Sequence, residues 1–260
     1  MQLFYLHFNH YGDFAGYSTI AIGAAKVMGF KLMENFNAPY FSQSTSEYWK
    51  RWHISLSSWF KDYLYIPLGG NRKGKLRKYI NLAIVFFTCG LWHGASWSYI
   101  VWGMLNGAFQ IIGRFLKPIR DKFVKILKLN RESASHKTYR ILTTFMLITS
   151  TLVFFRADSF NTALDMIKSV FTEYNPWIFF DDSLYNLGLS RKEFQFMILS
   201  IIVLLIAEFI KWKGYSVREW VYKQEGWFRW MFYLTSIIVI LVFGIWGPSF
   251  DQTAFIYFQF

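Results

Sequence analysis

The sequence predicts an all-α, multi-spanning membrane protein with additional embedded or interfacial helices, and three observations predict it. Hydrophobic residues make up 54% of the 260 residues and charged residues only 17%, against about 25% charged in a soluble domain. The charges fall in blocks, so long apolar runs lie between basic clusters, as in a helical membrane protein. Aromatic residues reach 22%, with 12 Trp, 16 Tyr and 29 Phe, and amphipathic rings anchor at the two membrane interfaces. Basic cytoplasmic loops account for the net charge of +12 through the positive-inside rule, and nucleic-acid binding is rejected.

The first dozen residues, MQLFYLHFNHYG, lack the charged n-region and apolar h-region of a signal peptide. His7, His10 and His136 are assigned no role. Residues 14–30 are apolar and rich in small residues, with Lys26 as an interruption, and predict a helix packed closely against neighbours. Asp13, just before it, either bonds a polar partner inside the bundle or marks the membrane boundary. Residues 31–48 form a connection containing Asn35, Asn37 and Pro39.

Ser44 and Glu47 have the spacing of a capping box, which opens the next helix. Trp49, Trp52, Leu56, Trp59, Tyr63 and Ile66 recur at three- and four-residue steps as an apolar face. Arg51, Ser55, Ser58 and Asp62 form a polar stripe, so the helix is interfacial or partly embedded. PLGGNRKGKLRK, residues 67–78, is a loop of turn formers.

Residues 79–93 and 96–115 are two apolar segments meeting near Gly94. Lys50 to Lys78 holds eight Lys/Arg against one acid, and Lys117 to Lys137 holds seven against two. Both flanks therefore face the cytoplasm, and the segments between them enter and return as a hairpin. Three further spans follow at 138–155, 194–212 and 228–246. The loop 156–193 has four basic and six acidic residues and is expected outside; the loop 211–229 has five basic and two acidic and is expected inside. The tail after Trp246 has no basic residue and is expected outside.

His93, in CGLWHGASW, is the residue that stands out chemically. It follows Tyr79 by 14 residues, roughly 21 Å of helix at about 1.5 Å per residue, which places it deep in the hydrocarbon core. An ionisable group there is a functional hypothesis by default, and the alternative is a neutral imidazole bonded to a neighbouring helix. Gly90 and Gly94 remove bulk beside it, and Trp92 and Trp97 could wall a pocket. His53, in WKRWHISLS, has the position of a structural interfacial histidine. The two histidines are 40 residues apart and offer no zinc spacing. The single cysteine, Cys89, is expected as a small buried residue. Nucleophilic-serine and Walker motifs are absent, as is the inverted pair of Gly/Pro-broken helices of a transporter. GGNRKGK, residues 69–75, either contacts a phosphorylated donor or is a solvated cytoplasmic loop.

The stretch NFNAPYFSQSTSEYWKRWHISLSSWFKDYLYIPLGGNRKGKLRKYINL, followed by GLWHGASWSYIVWGMLNG, closely resembles the membrane-bound O-acyltransferase family. The similarity is to its bacterial branch typified by the membrane subunit of alginate O-acetylation, and more distantly to the D-alanyl transfer protein of teichoic acid synthesis. FAGYS, VFFRADSF and the closing FIYFQF resemble that branch too, so the likeness covers nearly the whole chain. RWHISLS together with LWHG at this separation is highly specific. Ala15 stands where the family more often has serine.

The resemblance implies that His93 is the catalytic histidine of the WHG motif and His53 the second characteristic histidine of the RWH motif. It implies transfer of an acyl group, usually acetyl, from a cytoplasmic thioester donor toward an exported polysaccharide, with His93 acting as base or as transient acyl carrier. A water-poor tunnel lined by Trp52, Trp92, Gly94, Trp97 and Asp62 is expected around the two histidines. No tightly bound cofactor or metal is expected; acetyl-CoA or an acyl carrier is the donor substrate. Expected partners are membrane lipid, an extracytoplasmic acetyltransferase and the polysaccharide acceptor. The expected location is the bacterial cytoplasmic (inner) membrane, crossed several times. Relatives carry further spans before this region, so residues 1–260 are expected to form a single domain lacking the family's N-terminal helices. The alternative is a truncated, non-catalytic remnant or a membrane scaffold of an acylation complex.

Overall fold

The computed structural model describes residues 2–157, 159–172, 177, 185 and 190–244, and these contain helices and no strand. Helix α1 spans Gln2–Val27 and ends in a turn through Gly29 at φ 85°. It starts at Gln2 rather than near residue 14. The reason is burial: His7, His10, Tyr11, Phe14 and Ser18 recur at three- and four-residue steps and are all buried. Most of these polar groups bond to partners on other elements, so an inward face need not be apolar.

After a connection containing a 3-10 turn at Pro39–Phe41, α2 spans Thr45–Arg51. The Ser44 hydroxyl accepts from the Glu47 N–H at 3.1 Å, the expected N-cap. The Glu47 carboxylate accepts from Gln43 N–H at 2.9 Å, so the reciprocal half of the box is shifted by one residue.

The single amphipathic helix expected from here to Ile66 is broken. His53 adopts a left-handed backbone at φ 45°, ψ 55°, and α3 restarts at Ile54–Phe60, followed by a π-helical turn at Lys61–Tyr65. Asn35 holds the break. Its carbonyl accepts from Ile54 N–H at 3.0 Å, and its side-chain oxygen accepts from Ser55 N–H at 3.1 Å and Ser55 Oγ at 2.5 Å. Its amide donates to Ser18 Oγ of α1 at 3.1 Å. Histidine tolerates the left-handed region better than most residues, and a nearby partner for the freed N–H groups stabilises it there. Beyond the break the apolar stripe loses register: Trp49, Trp52 and Leu56 are buried, whereas Trp59, Tyr63 and Ile66 are exposed. Asn35→Ala removes the acceptor of the Ser55 N–H and of its hydroxyl, and we expect a loss of about 1–3 kcal/mol, readable as a lower melting temperature in detergent.

Helix α4, Gly74–His93, and helix α5, Trp97–Phe115, form the expected hairpin, with Gly94 at φ 150° between them. The first turn of α4 takes residues 74–78 from the expected loop. The two helices approach backbone to backbone. A Cβ on Gly90 would lie 2.5 Å from the Tyr99 carbonyl oxygen, and one on Gly103 would run into the Phe86 carbonyl oxygen. Gly90 therefore serves helix packing.

Helix α6, Lys117–Ile126, leads to α7, Ala134–Arg156. Helix α8, Phe160–Thr172, lies where the sequence suggested a loop, and its Ala163 is fully buried. Helix α9 is Arg191–Trp212, opened by a complete capping box of Ser190 and Glu193. The short α10, Val217–Tyr222, precedes α11, Gly226–Phe243. Among the described residues, three helices are long and apolar enough to cross a membrane: α7, α9 and α11. Within their most apolar windows α7 is 44% buried, α9 6% and α11 none, so α7 belongs to the interior while α9 and α11 present apolar surface outward. Asp158, most of 173–189 and the tail from 245, including FIYFQF, lie outside the described residues.

Candidate active site

The interior is an aromatic core in which α1, α2, α4, α5 and α7 meet. His93 is the last residue of α4 and is buried. Its ring lies 4.8 Å from Trp92, 5.0 Å from Trp102 of α5 and 5.2 Å from Phe155 of α7, centre to centre, each edge-on. His53, buried at the α2–α3 break, lies 4.5 Å from Phe14 and 6.1 Å from Trp92. The Trp92 ring thus touches both histidines and bridges a separation of 40 residues. The His53 Nδ1 is 3.5 Å from Ser55 Oγ. Its Nε2 is buried without a hydrogen-bond partner among the described residues, which leaves one ring nitrogen open to a ligand group.

Two further histidines, given no role by the sequence, join this cluster. His10 stacks on Trp52 at 5.7 Å and meets Phe155 edge-on at 5.1 Å, so Phe155 contacts both His10 and His93. His7 bonds Thr149 Oγ1 of α7 at 2.8 Å and Tyr48 OH of α2 at 3.1 Å, tying three elements together. Their spacing with Tyr11, Phe14 and Ser18 was the available signal; it shows once histidine is counted as an interior residue.

The predicted lining residues separate. Trp52 is buried against His7, His10 and Tyr11. Trp92 is half exposed beside both histidines. Above Gly94 the space is occupied: a Cβ there would lie 2.7 Å from the Tyr99 ring. Trp97 is 73% exposed. Asp62 is exposed on the π turn, 4.0 Å from Lys61, and is not brought to the histidines. Among the described residues no three His, Cys, Asp or Glu side chains are grouped to hold a metal ion.

A cavity of about 680 Å³ opens between the α2–α3 region and the α4–α5 hairpin. Its apolar wall includes Trp49, Leu56, Phe86 and Cys89, and Cys89 lies one turn before His93 on α4. Lys50, Lys61, Arg72, Lys78 and Arg114 also line it, and no acid does. Gly69 to Arg72 of the GGNRKGK stretch form part of its rim. Asn81 fixes that turn by donating to the Leu68 and Gly70 carbonyls at 3.2 and 3.1 Å. Tyr65 OH donates to Asn71 at 2.5 Å, and burial raises this phenol above its usual value, so it remains a donor at neutral pH.

A histidine pair in an apolar chamber lies close to a cationic cavity that suits an anionic ligand, and neither histidine is among the residues lining that cavity. The sequence profile of MBOAT, the membrane-bound O-acyltransferase family, matches residues 1–155. The chain is 46% identical over 167 residues to the "Probable alginate O-acetylase AlgI" of Pseudomonas fluorescens, covering 64% of this chain and 31% of that one. It is 41% identical over 163 residues to the "Peptidoglycan O-acetyltransferase" of Helicobacter pylori, covering 63% and 29%. It is 33% identical over 126 residues to the "Teichoic acid D-alanyltransferase" of Bacillus subtilis, covering 46% and 32%. The chain thus spans about a third of the length of these curated relatives. On the match over residues 1–155, the chain belongs to the membrane-bound O-acyltransferase family.

Proposed function

We propose that this chain carries the site of an O-acyltransferase that moves an acetyl group from a cytoplasmic thioester toward a hydroxyl of an exported polysaccharide. The observation that carries the proposal is the meeting of His53 with His93 across Trp92, the latter two on the hairpin that also lines the basic cavity. His93 is the base. The acceptor oxygen attacks the thioester carbonyl while its proton passes to the imidazole. The carbon–sulfur bond then breaks, and the leaving sulfur takes that proton back, so the histidine is regenerated. A buried imidazole in an apolar chamber favours the neutral form this step needs. Trp102 and Phe155 keep water from the thioester. His53, with one ring nitrogen open, orients a reacting group.

Acetyl-CoA or an acylated carrier fits the cavity through its phosphates, which Lys50, Arg72 and Lys78 would neutralise. An extracytoplasmic acetyltransferase is the expected partner for delivery to the glycan, and the bacterial cytoplasmic membrane the expected location. Peptidoglycan and alginate, which appear in the relatives' names, support a polysaccharide acceptor.

Membrane vesicles exposing the basic face, supplied with labelled acetyl-CoA or acetylated carrier, test the proposal. Arg72→Glu with Lys78→Glu should raise KM for the donor roughly tenfold, equal to about 1.4 kcal/mol, and leave kcat near wild type. An unchanged KM for both donors contradicts the donor assignment.

A further inference from the structure

We propose that α6 docks on an anionic lipid surface and fastens the cytoplasmic end of the helix bundle to negatively charged headgroups. None of its ten residues is buried. Ile119, Phe123 and Ile126 share one face, at i, i+4 and i+7, and are 50%, 60% and 64% exposed. Leu116 and Leu127 extend that face at its two ends and are exposed as well. In sequence, α6 lies between α5 and the spanning-length α7, so its distance from the membrane end is short.

The charges complement this face. Helix α6 carries four Lys/Arg and one acid. That acid, Asp121, is used internally: Lys117 Nζ reaches it at 2.8 Å and Arg131 Nη2 bonds its other oxygen. These hydrogen bonds hold its carboxyl down to about 2, so it stays ionised at neutral pH and keeps both cations engaged. Arg120 is likewise occupied, donating to the Gly113 carbonyl at 2.6 Å. Lys122, Lys125 and the following Lys128 form no ion pair among the described residues. An apolar stripe with Lys122 at its border and Lys125 and Lys128 farther round matches a leaflet rich in anionic lipid: the rings and branched chains enter the acyl boundary, and the long lysine side chains carry their ammonium groups to the phosphates. Each such lysine near an anionic surface favours binding about fivefold. An acidic protein would match the lysines but would not need the continuous apolar face.

The test uses the full chain reconstituted in vesicles, with a bimane label on an introduced cysteine at position 126, in place of Ile126. The native Cys89 is buried but lines the basic cavity, so it is replaced by serine in every labelled variant. Brominated phosphatidylglycerol should quench the label more strongly than brominated phosphatidylcholine at equal mole fraction. Lys122→Gln, Lys125→Gln and Lys128→Gln together should remove that preference while quenching by both lipids persists. Equal quenching of the unmodified lysine background by the two lipids overturns the headgroup preference. Iodide quenching as strong as for a label at position 73, in place of the exposed Lys73, overturns docking altogether. A label reached by neither lipid nor iodide means a protein covers α6, which also overturns the proposal.

Discussion

His93→Gln is expected to lower kcat for acyl transfer about a hundred- to ten-thousandfold, the range general acid–base catalysis supplies, with little change in donor binding. Glutamine is close in volume and keeps polar atoms near the Trp92, Trp102 and Phe155 rings, so the chamber is preserved while the base is lost. The cationic cavity is lined by other residues, so KM for the donor should stay within about twofold, less than 0.5 kcal/mol. Steady-state transfer in reconstituted vesicles reads both parameters, with the amount of membrane-inserted protein as the control. A variant with wild-type kcat would remove His93 from the chemistry. A parallel loss of inserted protein would instead assign it a structural role.

The second large effect is structural. Gly103→Val puts a branched side chain where the Phe86 carbonyl and the Gly90 backbone already stand. The obstacle is backbone on the facing helix, so no side-chain rotation relieves it. Overpacking a core usually costs about 1–3 kcal/mol, and this substitution should reach or exceed the top of that range. Helices α4 and α5 would separate, and His93, at the end of α4, would lose its contact with Trp102. We expect a large fall in the detergent melting temperature together with loss of transfer. Gly113→Val, where a Cβ meets nothing within 4 Å, should leave both near wild type. Equal behaviour of the two variants would contradict the close-packed hairpin.

Much of the fold is legible in the sequence wherever local chemistry decides it. The Ser44 cap, the hairpin turning at Gly94 and the long helices α7, α9 and α11 follow from capping residues, glycine and uninterrupted apolar length. Other elements are not legible, and for most of them distant residues are the reason. The break at His53 lies within an unbroken three- and four-residue apolar rhythm, and only Asn35, eighteen residues earlier in sequence, supplies the partners that hold it. The first half of α1 is marked by histidines and Asn9, which hydropathy reads as non-helical; His7 is accommodated by Thr149 and Tyr48. Helix α8 has too mixed a composition to stand out from a loop.

The candidate site divides in the same way. The Trp-His-Gly and Arg-Trp-His motifs point to His93 and His53, and the two residues do meet across Trp92. Trp97 and Asp62 lie near these histidines in sequence or pattern, yet helix geometry turns them to the surface. His10 is the reverse case, far from both motifs in sequence but in contact with Phe155 beside His93.

Photochemical mapping of the donor path shows whether a thioester reaches His93. A coenzyme A thioester with a short photoreactive acyl group is added to vesicles exposing the basic face. Activation should attach the label within residues 89–93 of α4 or 49–53 around the α2–α3 break, and excess acetyl-CoA should suppress it. Labelling confined to α9–α11, or labelling that excess acetyl-CoA leaves unchanged, would contradict a thioester reaching His93 through the basic cavity.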